Sequence, residues 1–161
     1  MSKIHKPKYI NRIKILVVVD VVGALAKETL ESNIYLCDNN RRYGSLNEAK
    51  PTLKTKVKKG NIVQWDCMGL EIEVFSKIFN IVFAEEHLEY FEVIEDKDNT
   101  ESSKRSPPTQ FTYENTNITA WHLKVKKKLP KEGIPYRLEL KLGTRGKTIT
   151  MEGGSIPQLF S

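Results

Sequence analysis

The stretch that decides the fold is TLKTKVKKGNIVQW, residues 52–65. Its first half alternates Leu53, Thr55 and Val57 with lysines. A period of two is typical of a strand with one buried and one solvated face. The Lys-Gly-Asn turn at 59–61 includes residues that accept a positive φ, and residues 62–65 then resume an extended pattern. The stretch therefore predicts a β-hairpin.

The same alternation appears downstream at residues 121–126 and 136–142. A Gly-Thr-Arg-Gly turn at 143–146 leads from the second of these into a short extended run, residues 147–151. This arrangement predicts two more strands, the latter of which begins a second tight hairpin.

Further strands are expected in the first half of the chain. Residues 13–20, IKILVVVD, are dense in β-branched residues and predict a central strand buried on both faces. Residues 33–37 read as another strand, and residues 24–31 as a loop with helical character that is too short for a long helix. Residues 71–83 favour one bent strand or two, with a helix left open. Many short strands and no long amphipathic helix predict an all-β fold, an antiparallel β-sandwich with short helical turns.

A length of 161 residues predicts a single domain over residues 1–161. Residues 1–11 are basic, but the apolar run after them is too short for a signal peptide, so we expect a flexible N-terminal tail on a cytoplasmic protein. Residues 96–109, DKDNTESSKRSPPT, contain no apolar side chain and predict a solvated internal loop. No apolar run approaches the roughly 20 residues of a membrane-spanning helix, and no membrane partner is expected.

The chain carries a net charge of +6, but its charges are segregated. Between residues 85 and 101 eight carboxylates stand against one lysine, and between residues 120 and 150 nine basic residues stand against two acidic ones. Two readings follow: solvated faces with lysine-protected strand edges, or complementary patches that favour a homo-oligomer by head-to-tail self-association. The lysines alternate with aliphatic rather than aromatic residues, which argues against nucleic-acid binding.

Catalytic motifs are absent from the sequence. Of the three histidines, His5 lies in the tail, His87 in the acidic stretch and His122 on the expected solvent face of a strand, and no nucleophile or metal motif accompanies them. Cys37 and Cys67 have no Cys or His partner at metal-ligand spacing and predict buried thiols rather than a disulfide or a zinc site. We therefore expect no enzyme and no resident cofactor.

The turn region between Asp38 and Glu48 is the best candidate for a ligand site. Its oxygen-rich side chains could ligate calcium or bind sugar hydroxyls, as in a lectin-like carbohydrate-binding module, with Tyr43 as a stacking ring. The alternative is that these side chains serve turn geometry alone. Trp65 and Trp121 fit inward strand positions and are expected in the core. The candidate ligand-binding residues are Asp20, Asp38, Asn40, Tyr43, Asn47 and Glu48.

An ordered series of motifs spans residues 13–65: VVVD ending at Asp20, then Asn33-Ile34-Tyr35-Leu36 with Asp38 and Asn40, Gly44-Ser45 with Asn47-Glu48, and Gly60, Ile62 and Trp65. This series resembles the opening of the bacterial AidA/PixA family, the inclusion body proteins. The resemblance implies a cytoplasmic, non-enzymatic β-sandwich protein that accumulates in intracellular inclusions or under population-density control in host-associated bacteria. Together with the opposed charge regions it predicts self-association. A ligand-binding role toward carbohydrate is compatible with that fold, although fold alone carries little functional weight.

Overall fold

The computed structural model describes residues 12–71, 73–94, 111–112 and 120–161, and in these ranges strands dominate. One α-helix, α1 (Val21–Lys27), and two 3₁₀ turns (Arg41–Tyr43 and Glu85–Tyr90) interrupt them. The strands are β1 (Arg12–Val19), β2 (Ile34–Asp38), β3 (Lys54–Lys56), β4 (Ile62–Gly69), β5 (Ser76–Phe83), β6 (Phe91–Val93), β7 (Phe111–Thr112), β8 (Ala120–Val125), β9 (Ile134–Leu142), β10 (Lys147–Thr150) and β11 (Gln158–Phe160).

The strands form two sheets that enclose the core. The first sheet has the order β2-β1-β4-β8-β6, and the second has the order β3-β11-β9-β5-β7, with β10 paired to β9. Most neighbours are antiparallel, but β1 pairs with β4 and β3 pairs with β11 in parallel. The predicted β-sandwich with short helical turns is confirmed, with mixed rather than purely antiparallel sheets.

Two buried tryptophans tie the sheets together across the core. Trp65 and Trp121 face each other in register on β4 and β8 of the first sheet. The indole nitrogen Nε1 of Trp65 donates a hydrogen bond to the hydroxyl of Tyr136 on β9 at 3.2 Å, and Nε1 of Trp121 donates to the carbonyl of Ile78 on β5 at 3.1 Å. The prediction that both tryptophans belong to the core is confirmed.

The hairpin predicted at residues 52–65 is wrong. Leu53, Thr55 and Val57 are buried as the alternation requires, but β3 lies in the second sheet and β4 in the first. The intervening turn, closed by the side chain of Asn61 on the amide of Lys58 at 2.7 Å, carries the chain from one sheet to the other. The second predicted hairpin is confirmed, because β9 and β10 pair antiparallel.

The first strand also differs from its prediction. β1 is central, between β2 and β4, but only one of its faces is buried. Arg12 and Lys14 are exposed on the other face, and Leu16 there is 37% exposed. The β-branched run therefore predicted a central strand correctly. The prediction that the outer face of this strand is buried is wrong. The predicted tail at residues 1–11 and the predicted loop at residues 96–109 lie outside the described residues. The single-domain organisation stays a prediction.

Candidate functional site

The two carboxylates of the predicted turn site lie together beside the free edge of β2. Oε1 of Glu48 accepts a hydrogen bond from the amide of Asp38 at 2.9 Å, and Oδ1 of Asp38 accepts one from the amide of Asn40 at 2.8 Å. The amide of Ala49 donates to the carbonyl of Leu36 at 2.8 Å. Residues 48 and 49 thus cover the outer edge of β2 and shield it from pairing with another strand.

The second oxygen of each carboxylate, Oδ2 of Asp38 and Oε2 of Glu48, is buried without a hydrogen-bond partner in the part of the chain that the structure describes. In the same described part, no group of three or more His, Cys, Asp or Glu side chains is placed to hold a metal ion. The proposed calcium and sugar roles of these residues stay predictions.

The remaining turn residues hold the turn against β3. Asn40 is 5% exposed, and its Nδ2 donates to the carbonyl of Lys56 at 2.6 Å. Asn47, at φ 62°, uses its Nδ2 to bond the carbonyl of Thr52 at 3.1 Å. Tyr43 is 41% exposed at the surface. Hydrogen bonds of this kind are what is expected if these side chains only fix the conformation of the turn.

Asp20 does not join the turn residues. Asp38 pairs with Ile15 on β1, so Asp20 lies about 17 Å further along that strand at about 3.3 Å per residue. Its Oδ1 accepts a hydrogen bond from the amide of Gly23 at 2.7 Å and caps the N-terminus of α1.

Glu71 caps the same helix end. Its two carboxylate oxygens accept hydrogen bonds from the amides of Val21 and Val22, each at 3.2 Å. Hydrogen bonds from its own backbone amide and from those of Val22 and Val21 hold the pKa of Glu71 below its ordinary value. Asp20 and Glu71 therefore stabilise the entry to α1.

Cys37 and Cys67 are free thiols, both half-buried rather than buried as predicted, and they are poorly suited to nucleophilic chemistry. Burial raises the pKa of Cys67 to about 11, and burial together with the nearby Glu48 carboxylate raises the pKa of Cys37. Since the thiolate is the reactive form, both groups are held in the unreactive state at neutral pH. His122 faces outward opposite Gln64, but it is 7% exposed, so its predicted solvent exposure is wrong.

The acidic and basic regions partly neutralise each other within the chain. Glu89 in the second 3₁₀ turn forms an ion pair with Lys127 at 2.6 Å, and Glu92 on β6 lies opposite Lys124 on β8. Those charges are less available for a second copy than the sequence suggested.

Exposed apolar side chains gather on the outer face of the first sheet, at the end of β1 that leads into α1. Tyr35, Val18 and Met68 lie in one row across β2, β1 and β4, and Met68 is 50% exposed. We call five residues the outer-face patch, three of them on strands (Leu16, half-buried Val18 and Met68) and two at the end of the sheet, Val22 in α1 and Leu70 directly after β4. The valine-rich pattern of residues 13–20 was the available sequence signal for it.

A cleft of about 550 Å³ opens beside the patch, between three loop segments. Leu30, Ile34 and Met151 form its buried floor, and residues 29–32 and 151–155 supply two of its walls. Ala49 and Pro51 complete the third wall. Sequence reasoning missed this cleft because its walls lie far apart along the chain and only the fold brings them together.

Two of these walls are fixed by buried or half-buried polar side chains. Asn33, 2% exposed, donates from Nδ2 to the carbonyls of Thr29 and Glu31 at 3.1 and 3.0 Å. Arg137 donates to the carbonyls of Met151 and Gly153 at 3.0 and 2.8 Å. These hydrogen bonds hold the two loops in place.

Comparison with known proteins places the chain in a family. The sequence model of DUF8788, a domain of unknown function, matches residues 11–148. The chain belongs to the DUF8788 family. A search of curated proteins found no match.

Among solved structures, this DUF8788 chain is similar to the crystal structure of the inclusion body protein PixA from Burkholderia cenocepacia J2315. The two superpose with a TM-score of 0.53 over 97% of this chain and 94% of that chain, at 12% sequence identity. At this identity the likeness shows the fold alone, and it confirms the resemblance to the PixA fold expected from residues 13–65. No helix in the described ranges of the chain is long and apolar enough to cross a membrane.

Proposed function

We propose that this DUF8788 chain is a non-enzymatic, self-associating protein of the inclusion-body type, and that copies associate through the outer-face patch. The observation that carries the proposal is a group of exposed apolar side chains where the first sheet meets α1: Met68 on β4 is 50% exposed, Leu70 directly after β4 is 56% exposed and Val22 in α1 is 60% exposed. Contiguous exposed apolar residues on a folded protein mark interaction surfaces. The fold likeness to PixA, an inclusion body protein, supports the same class.

Association by the sheet face is favoured over association by a sheet edge. The free edge of β2 is covered by Glu48 and Ala49, and the other edge strands of the described residues are short, with three residues in β6 and β3, two in β7 and four in β10. Short or covered edges offer few peptide groups to a second chain.

Charges beside the patch suit a two-fold contact. Lys14 is exposed on the outer face of β1, two rows before Val18, and Glu71 follows Leu70 beyond the other end. Successive residues on one face of a strand are about 6.6 Å apart. A two-fold axis that passes through Val18 across the strands therefore brings Lys14 of one copy near Glu71 of the other. Such a self-complementary surface is what a two-fold dimer requires.

Analytical ultracentrifugation over a concentration series tests the proposal. The wild-type chain is expected to associate with rising concentration, and more so in sulfate, which strengthens apolar contacts. The double variant Met68→Ser, Leu70→Ser should shift the equilibrium to monomer. Leu46→Ser is the matched control, because Leu46 is 55% exposed but lies outside the patch.

A wild-type chain that stays monomeric at high concentration in low and high salt would remove the proposal. Equal association of the double variant and the Leu46 control would instead remove the patch as the contact surface. Association that weakens steeply with sodium chloride would point back to the charged regions.

A further inference from the structure

The charged side chains that line the cleft between the three loops are acidic, whereas the whole chain has a net positive charge. Glu31 and Glu152 stand on two of its walls, and the described residues that line it include no lysine, arginine or histidine. The chain as a whole carries +6. A local acidic pocket on a basic protein repels anions and attracts cations at short range.

The remaining surface of the cleft is apolar and aromatic. Leu30 and Ile34 are 2% and 1% exposed and form a tightly packed base, and the more exposed Ala49 and Pro51 supply the apolar surface of the wall above it. Tyr35, 39% exposed, presents an aromatic ring at the rim. A ring face attracts an ammonium or guanidinium group by the cation–π effect.

We propose that the cleft binds an alkylammonium ligand, with an ammonium group at the Glu31 or the Glu152 carboxylate and its alkyl chain along the apolar wall and the ring of Tyr35. A diamine fits best, because carboxylates on two walls with hydrocarbon between them match two charged heads on one chain. A lysine side chain of a peptide carries the same group on the same kind of stem. The volume of about 550 Å³ lies in the range of small-molecule sites.

The hydrogen bonds of Asn33 and Arg137 make the cleft a prepared site rather than a gap between mobile loops. Both side chains bond to main-chain carbonyls of the walls. Walls fixed in advance lower the ordering cost of binding. The Arg137 guanidinium is used in this support and is not among the lining groups.

Titration of the ¹⁵N-labelled full chain with 1,5-diaminopentane, followed by NMR, tests the proposal. Amide shifts are expected at Ser32, Gly153 and Gly154, and binding of 1,5-pentanediol, which has the same length without charge, should be at least about tenfold weaker. Glu31→Gln and Glu152→Gln should each weaken diamine binding about two- to fivefold, as expected for an exposed charge pair. Glu132→Gln, an exposed acid outside the cleft, is the matched control.

A second titration with Nα-acetyl-lysine amide distinguishes a lysine side chain of a peptide from a free diamine as the ligand. Tighter binding of the lysine derivative than of the diamine assigns the site to a peptide side chain, and the reverse order assigns it to a free diamine. Equal binding of diamine and diol, or no shifts at the cleft amides, overturns the proposal. This test shares no variant with the self-association test, so the two can fail separately.

Discussion

The hydroxyl of Tyr136 is expected to stabilise the sandwich through a single buried hydrogen bond, and Tyr136→Phe tests this. Tyr136 is 1% exposed and Trp65 is fully buried, and the hydroxyl accepts the indole N–H at 3.2 Å. The two rings also meet edge to face, with centroids 5.6 Å apart and an interplanar angle of 83°. Phenylalanine keeps that ring contact and removes only the oxygen.

The magnitude follows from what the substitution leaves behind. In the variant the indole N–H of Trp65 stays buried without an acceptor, which costs about 1–3 kcal/mol of unfolding free energy. For a chain of this size each kcal/mol lowers Tm by about 2–4 °C. Burial raises the pKa of Tyr136, so the hydroxyl stays protonated and the loss should be the same at pH 6 and pH 8.

Urea denaturation followed by tryptophan fluorescence measures the loss. Tyr43→Phe is the control, because Tyr43 is 41% exposed, and its variant should stay within about 0.5 kcal/mol of wild type. A Tyr136→Phe variant as stable as the Tyr43→Phe variant would show that the hydroxyl does not hold the two sheets together.

Two further substitutions test the entry to α1 and the half-buried thiol of Cys67. Gly23→Ala should cost about 1–3 kcal/mol, because the new Cβ would lie 2.5 Å from Oδ2 of Asp20 and 2.7 Å from Oδ1 of Asn33, whereas Gly154→Ala meets no atom within 4 Å and should be neutral in thermal melts. Burial raises the pKa of Cys67 to about 11 from an ordinary value near 9, so between these pH values the folded state keeps a proton that the unfolded state loses. Stability should therefore fall as pH rises from 9 to 11, and Cys67→Ser should make that fall shallower; a fall of unchanged steepness in urea titrations would contradict the assignment.

Local patterns in the sequence were sufficient for strands and inward faces. Alternation alone placed Leu53 and Val57 inside, and the two glycines at 143 and 146, both at positive φ, marked the β9–β10 turn. The same reasoning failed at 59–61, because turn chemistry specifies a reversal but not which sheet the chain enters next. The parallel pairing of β1 with β4 depends on tertiary contacts and left no local signal.

The candidate sites also differ in whether local sequence could reveal them. Side chains with local partners, such as Asp38 with Asn40, were noticed because Asx-rich turns are visible in sequence. The cleft was not visible, since Glu31 and Glu152 are separated by most of the chain. Asp20 was grouped with the turn by proximity in sequence, but the direction of β1 carries it to the opposite end of the sheet.

The wrong prediction for β1 bears directly on function. A run of β-branched and aliphatic residues is typical of a strand covered on both faces, yet Leu16 is 37% exposed and Met68 beside β1 is 50% exposed in the described part of the chain. Exposing such a face to water costs a free energy of about 25 cal/mol for each Å² of apolar surface. A surface composed like a core is stabilised when something covers it, and the self-complementary charges of Lys14 and Glu71 suit a second copy in that role.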